Sequence, residues 1–132
     1  MNTSTSSIVA DTSYVIEGLL SNFSLIRQHE NIYFLIYSVS EVINAIWKRQ
    51  ILLKQLSQEE ANGTIAFFFR LILNDNIRLL DLEQKDFMAA YAIAAKTRLT
   101  VYDTSFIVLA NKIGLELKTL DKKQARIYEQ QQ

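Results

Sequence analysis

The amino-acid sequence lacks residue types on which many catalytic and metal-binding sites depend. It has no cysteine, so it can form no disulfide, no thiolate nucleophile and no zinc site built on sulfur. Its single histidine, His29, lies in a polar stretch that we interpret as the solvated end of a short helix. These absences exclude cysteine proteases, Ser-His-Asp hydrolases and ribonucleases that use paired imidazoles. A catalytic or metal site in this chain must therefore rely on oxygen-bearing side chains.

Long apolar runs, proline and an excess of one charge are also missing. No apolar run reaches the roughly 18–20 residues of a membrane helix, and the start lacks the segments of a signal peptide, so we expect a cytoplasmic protein with no membrane contact. The 14 basic and 14 acidic residues cancel, which disfavours duplex binding by bulk positive charge. The length favours a single domain over residues 1–132, with flexible tails at 1–7 and 129–132.

Short apolar segments alternate with segments of helical periodicity along the chain. The apolar segments predict strands at residues 8–10, 32–37, 77–80 and 115–120. Strands that alternate with helices imply crossover connections, and therefore a mainly parallel sheet. We expect an α/β fold in three layers, with a short central sheet covered by helices on both faces.

Capping residues predict where several helices begin and end. Ser38 or Ser40 is expected to cap one helix, and Ser57 with Glu60 has the spacing of a capping box. Asp103 is expected to begin a later helix, and Gly114 is expected to end it in a left-handed conformation.

Four acidic residues follow predicted strands or begin predicted helices: Asp11, Glu41, Asp103 and Asp121. Ligands bind open α/β sheets at the carboxyl edge of the strands, so these side chains can converge there. Four ionised acids in one place would repel each other unless a divalent cation neutralised them. The pattern therefore predicts a site for Mg²⁺ or Mn²⁺.

Each acid also has an ordinary structural interpretation. Asp11 and Asp103 could be helix caps, Asp121 a turn residue, and Glu41 a first-turn acid that the helix dipole favours. Taken singly, each of these interpretations is as good as a site. The four acids together, in this order, favour the site.

Four motifs in the sequence resemble those of the PIN domain, and most closely those of the small VapC-type toxins. They are Ile8-Val9-Ala10-Asp11-Thr12-Ser13, Ser40-Glu41-Val42, a stretch from Tyr102-Asp103-Thr104 to Ala110, and Thr119-Leu120-Asp121-Lys122-Lys123. The resemblance spans about residues 8–128. It implies a PIN-like fold and metal-dependent endonucleolytic cleavage of single-stranded RNA, with the four acids in one pocket. It also places the hydroxyls of Ser13 and Thr119 beside the acids, as groups that hold an acid or a water.

The metal roles follow from this resemblance and from the chemistry of phosphodiester hydrolysis. One or two oxygen-bound Mg²⁺ or Mn²⁺ ions can supply that chemistry without a protein nucleophile. We expect Asp11 and Asp103 to be the most direct ligands. Glu41 and Asp121 would bind a second ion, hold waters or orient the attacking water.

Family resemblance further implies two protein partners. One is an antitoxin that buries the site, with an arginine or lysine inserted among the acids. The other is a second copy of the chain, for which the apolar helices at residues 16–20 and 43–53 provide surface. Two departures from the family pattern concern local backbone and substrate fit: Arg98 stands where glycine is expected, and Thr104 where alanine is usual.

Other interpretations remain open at the level of sequence. The chain could be a housekeeping RNA-processing PIN nuclease, or a PIN-like module that binds RNA or protein without cutting. A phosphoacceptor receiver domain is disfavoured, because Asp11 is followed by Thr12 rather than by another acid. Trp47 is expected to pack in the core, whereas Tyr102 could pack or stack on a base. We interpret the basic residues as solvated helix faces for the most part, including the group around Lys48.

Overall fold

A four-stranded parallel sheet lies at the centre of the protein, in a computed structural model that describes residues 6–132. The strand order is β3-β2-β1-β4, and the register pairs Ile8 with Ile32, Val9 with Leu117, and Ile32 with Ile77. The strands are β1 (Ile8–Ala10), β2 (Ile32–Leu35), β3 (Ile77–Leu80) and β4 (Leu117–Lys118).

Seven α-helices flank this sheet in the part of the chain that the structure describes. They are α1 (Thr12–Leu20), α2 (Ser24–Arg27), α3 (Val39–Trp47), α4 (Gln58–Leu73), α5 (Gln84–Thr97), α6 (Val101–Ile113) and α7 (Lys122–Gln130). A 3₁₀ turn (Ile36–Ser38) leads into α3, and a π-helical turn (Lys48–Leu52) extends it. The expected α/β fold with a parallel sheet is confirmed. None of the helices within residues 6–132 is long and apolar enough to span a membrane.

The core is centred on β1 and α6. Every residue of β1 is buried, so the strand is covered on both faces, as the consecutive apolar residues predict. Residues 104–110 of α6 are also all buried, which is unusual for a helix and shows that other elements surround it. Phe106 of α6 packs on Phe34 of β2 with ring centroids 5.6 Å apart. This packing fixes the position of the first turn of α6 relative to the sheet.

Two strands are shorter than the sequence predicts. The apolar run at residues 32–37 forms a strand only to Leu35, where it pairs with Leu80, and its last two residues enter the 3₁₀ turn. The run at residues 115–120 forms a strand only at Leu117–Lys118. Its partner β1 ends at Ala10, opposite Lys118, so nothing beyond that point can pair. The lengths of neighbouring strands therefore set both ends.

Two predictions about helix ends are confirmed, and two are wrong. Ser57 and Glu60 form the capping box, and Gly114 ends α6 with a φ of 69°. The Asp103 prediction is wrong: α6 begins at Val101, and the hydroxyl of Thr100 accepts the Asp103 N–H at 3.2 Å. Asp103 is thus in the first turn, with its carboxylate not engaged in capping. The serine-cap prediction is also wrong, because α3 continues directly from the 3₁₀ turn and Ser38 makes no side-chain cap.

The two ends of the chain were expected to be tails. Residues 1–5 lie outside the described residues. At the other end, α7 continues through Gln130, and the side-chain amide of Gln132 donates to Asn111 at 2.9 Å.

Arg98 ends α5 in the left-handed conformation, with a φ of 64°. A residue with a Cβ pays about 1–2 kcal/mol for this conformation, whereas glycine adopts it freely. We expect Arg98→Gly to raise the free energy of unfolding by about 0.5–1 kcal/mol, measured by urea denaturation. Lys96→Gly, inside the same helix, should instead lower it by about 1 kcal/mol. A loss of stability in Arg98→Gly would show that the arginine side chain outweighs the backbone strain.

Candidate functional site

The four predicted acids lie at the carboxyl edge of the sheet. Asp11 follows β1, Glu41 lies in the first turn of α3 after β2, and Asp121 precedes α7 after β4. Asp103 reaches the same edge from the first turn of α6. The pKa of Asp103 is raised first by burial and then by the charges of Asp11, Asp121 and Glu41. Asp103 is therefore close enough to each of the other three acids to be affected by their charges, and the charge of Asp121 also raises the pKa of Asp11.

Asp11 is the most rigidly held of the four. Its carboxylate is buried, caps α1 by accepting the Tyr14 N–H at 3.0 Å, and accepts a hydrogen bond on each oxygen from a side-chain hydroxyl. Ser13 donates to Oδ1 at 2.8 Å, and Thr119 donates to Oδ2 at 2.6 Å. Burial raises the pKa of Asp11, while these hydrogen bonds act in the opposite direction. Ser13 and Thr119 thus lie directly beside an acid.

Glu41 has a partner that the sequence analysis did not identify. The hydroxyl of Thr12 donates to Glu41 Oε1 at 3.0 Å, so the first residue of α1 orients an acid of α3. Thr12 is adjacent to Asp11 in sequence, but this contact spans 29 residues, and no local pattern indicates it.

Gln124 is a second residue that sequence reasoning missed. It is fully buried, and its backbone N–H donates to Asp121 Oδ1 at 2.8 Å, which makes Asp121 the cap of α7. Its side-chain amide donates to the backbone oxygen of Asp103 at 3.0 Å. One glutamine therefore connects the elements that carry Asp103 and Asp121.

The acids have no cationic partner within the described residues. The ion pairs found in residues 6–132 join Lys85 and Lys112 to Glu83, Lys112 to Asp86, and Lys118 to Glu116. None of them includes one of the four acids. The edge is thus a region of negative charge that the described part of the chain does not neutralise.

The donor chemistry of this edge suits a hard divalent cation, because carboxylate and hydroxyl oxygens are the ligands of Mg²⁺ and Mn²⁺. However, no three acidic or histidine side chains within residues 6–132 converge closely enough to form a ready-made ligand set. Magnesium retains several waters in proteins, so direct contact with every acid is not needed. The residues present therefore fit a hydrated dication, although the structure does not show them in a ligand arrangement.

Two concave surfaces flank the acids. An open groove of about 580 Å³ runs along α3 past Glu41, with α1 as its other wall. On the side of Asp103 lies an apolar cavity of about 360 Å³, to which Tyr37, Phe87 and Tyr102 contribute aromatic rings. Tyr102 is exposed, which leaves it available for contacts.

The predictions for the burial of Trp47 and of His29 are wrong. Trp47 is 47% exposed and does not pack in the core as expected. His29 is partly buried, hydrogen-bonded to the Tyr14 hydroxyl at 2.9 Å, and its pKa is lowered by burial. The histidine is thus not simply solvated, and it is not among the groups that act on the acids.

Comparison with known proteins gives a consistent set of relatives. A family model described as the PIN domain matches residues 8–130. Ribonuclease VapC3 from Pyrobaculum aerophilum is 34% identical over 106 residues, which covers 76% of this chain and 73% of the relative.

Solved structures share the fold. The crystal structure of PAE2754 from Pyrobaculum aerophilum matches with a TM-score of 0.70 at 20% identity, over 93% of this chain and 84% of that one. VapC20 of Mycobacterium tuberculosis, described as a sarcin-ricin loop cleaving toxin, matches with a TM-score of 0.65 at 12% identity, over 90% of this chain and 93% of that one.

Proposed function

This chain belongs to the PIN domain family, and from that premise we propose that it is a metal-dependent endoribonuclease that hydrolyses phosphodiester bonds of single-stranded RNA. We further propose that it is the toxin of a toxin–antitoxin pair. Its relative is named a VapC ribonuclease, which supports hydrolysis of RNA as the reaction.

The observation that carries the proposal is the group of four acids from separate elements at one edge of the sheet. Three of them raise the pKa of the fourth, Asp103, and the described residues provide no ion pair to any of them. Such a repulsive arrangement destabilises the protein unless a ligand of opposite charge binds. Such an arrangement is best explained by a function that needs the charge.

We propose that Asp11 and Asp103 hold Mg²⁺ or Mn²⁺ directly, and that Glu41 and Asp121 bind a second ion, hold waters or orient the attacking water. One or two such ions would neutralise the phosphoryl oxygens and lower the pKa of a water. The neighbouring polar groups keep the acids in place. Ser13 and Thr119 fix both oxygens of Asp11, and Thr12 holds one oxygen of Glu41.

Removal of the metal tests this proposal. With a labelled single-stranded RNA, we expect cleavage in Mg²⁺, loss of cleavage in excess EDTA, and recovery when Mn²⁺ is added beyond the chelator. The products are resolved by gel electrophoresis. An Asp103→Asn protein purified in the same way controls for a copurifying ribonuclease. Equal cleavage by both proteins, or cleavage that EDTA does not reduce, would overturn the proposal.

The negative edge also supports an antitoxin as partner. A cationic side chain of another protein that entered among the four acids would neutralise them and exclude both metal and RNA. We propose that inhibition occurs in this way, by an arginine or lysine that occupies the position of the cation.

A second copy of the chain is the other proposed partner, and the exposed apolar residues lie on one of the two segments considered at the start and on α5. On α1, Ile16, Leu19 and Leu20 are partly buried. In the second segment, by contrast, Trp47 and Leu52 are 47% and 58% exposed, and on α5 Met88 and Tyr91 are 65% and 68% exposed. Clustered exposed apolar side chains are typical of protein interfaces. We therefore propose that homodimers form through the exposed apolar side chains of residues 47–53 or of α5.

A further inference from the structure

The groove beside Glu41 leads from this acid to a lysine. Glu41, Asn44 and Lys48 line the same groove, at intervals of three and four residues along α3 and the turn that extends it. These intervals place the three side chains on one face of a helix. The rise of an α-helix puts Lys48 about 10 Å beyond Glu41. The groove thus has an acid at one end and a cation at the other.

Lys48 differs from the lysines that serve the fold. Lys112 donates to Asp86 at 2.7 Å and to Glu83 at 3.2 Å, and Lys118 pairs with Glu116 at 3.5 Å. Lys48 is exposed and has no carboxylate within ion-pair distance in the described part of the chain. Its ammonium group is therefore available to a ligand.

A polyanion that approaches the four acids needs positive charge nearby, because the acids repel phosphate. The groove is open to solvent, and its floor offers the amide of Asn44 as well as the ammonium of Lys48. An amide and an ammonium are the groups that proteins use to contact phosphate oxygens without reading sequence. Glu41 also lines the groove, so a chain that lies in it passes one of the four acids.

We propose that this groove binds the sugar-phosphate backbone of the RNA on one side of the scissile bond, and that Lys48 contacts a phosphate there. The inference rests on the proposed ribonuclease function and adds a positioning residue to it. Lys48 does not touch the reacting atoms. It holds the flanking strand, so its effect depends on substrates long enough to reach it.

The test compares Lys48→Gln with Lys54→Gln. Lys54 is also an exposed lysine, six positions further along, and it does not line the groove. For a labelled single-stranded RNA in Mg²⁺, we expect Lys48→Gln to raise KM about tenfold with little change in kcat. Its affinity should depend less on salt, with a slope lowered by about 0.7 for one lost contact to a single strand. Lys48→Arg should restore most of the affinity.

A labelled dinucleotide, too short to reach the far end of the groove, should be cleaved with the same KM by Lys48→Gln and by the wild type. Thermal unfolding of each variant checks that the fold is intact. If the wild type cleaves RNA but Lys48→Gln keeps its KM and salt slope, or if Lys54→Gln is affected equally, the groove does not bind the backbone as proposed. If the wild type does not cleave RNA at all, the proposed function itself fails.

Discussion

Replacing Asp103 by asparagine is expected to lower RNA cleavage about a thousandfold or more while the protein remains folded. The amide has nearly the same shape as the carboxylate but carries no charge, so it is a poor ligand for a hard cation. The backbone of the first turn of α6 is held independently, by the Thr100 cap and by the Gln124 amide. The loss should therefore reflect the missing charge. Single-turnover cleavage of a labelled RNA measures it.

The same substitution should stabilise the protein when no metal is present. The pKa of Asp103 is raised in the fold, by burial and by Asp11, Asp121 and Glu41, so the folded state binds this proton more tightly than the unfolded state does. The ionised group therefore costs stability at pH above its folded pKa, and the cost disappears as the pH falls below the unfolded value. In EDTA at pH 7, Asp103→Asn should have the higher urea midpoint. The difference should shrink toward pH 3.5 or so, near the unfolded pKa.

Asp81→Asn is the matched control for both effects. Asp81 follows β3 as Asp11 follows β1, but it is exposed and is not among the charges that raise the pKa of Asp103. It should keep full cleavage and a similar urea midpoint.

Saturating Mg²⁺ should reverse the order of stability between wild type and Asp103→Asn, because only the wild type binds the ion well. A wild type that Mg²⁺ does not stabilise would contradict a metal site at these acids.

The positions of the acids could be predicted because they depend on local rules. Asp11 ends a strand whose apolar residues identify it, and the carboxyl ends of parallel strands necessarily share an edge. The groups that orient the acids could not be predicted in this way. The Thr12–Glu41 contact and the Gln124–Asp103 contact join residues 29 and 21 positions apart. They depend on how α1 meets α3 and how α7 meets α6, which no periodicity encodes.

The errors about where strands end and which residues are buried also arise from contacts between elements that are distant in sequence. Tyr37 continues an apolar and aromatic run, but a strand needs a partner, and the pairing of β2 with β3 ends at Leu35 and Leu80. Trp47 is a large apolar residue of the kind that packs in cores, yet at the end of α3 its side chain is 47% exposed. Hydropathy indicates which residues can be buried, whereas the extent of neighbouring elements decides which ones are.

Truncation of Phe106 is expected to have the second large effect, a loss of stability, because this residue connects the core to the site. It lies one turn after Asp103 on α6, is fully buried, and packs on Phe34 of β2. We expect Phe106→Ala to lower the free energy of unfolding by about 3–5 kcal/mol, through lost burial and the cavity that remains. Urea denaturation measures the loss. If the alanine variant does not fold, Phe106→Leu, with an expected loss of under about 1.5 kcal/mol, retains the test.

Phe69→Ala is the control that separates the loss of a buried ring from the loss of any aromatic ring. Phe69 on α4 is 42% exposed, so its truncation should cost clearly less than that of Phe106. The leucine variant of Phe106 should also lose RNA cleavage beyond what its stability explains, because a shift in α6 moves Asp103 relative to the sheet that carries Asp11. Full cleavage by a destabilised Phe106→Leu would show instead that the Thr100 cap and the Gln124 amide position Asp103 without help from the core.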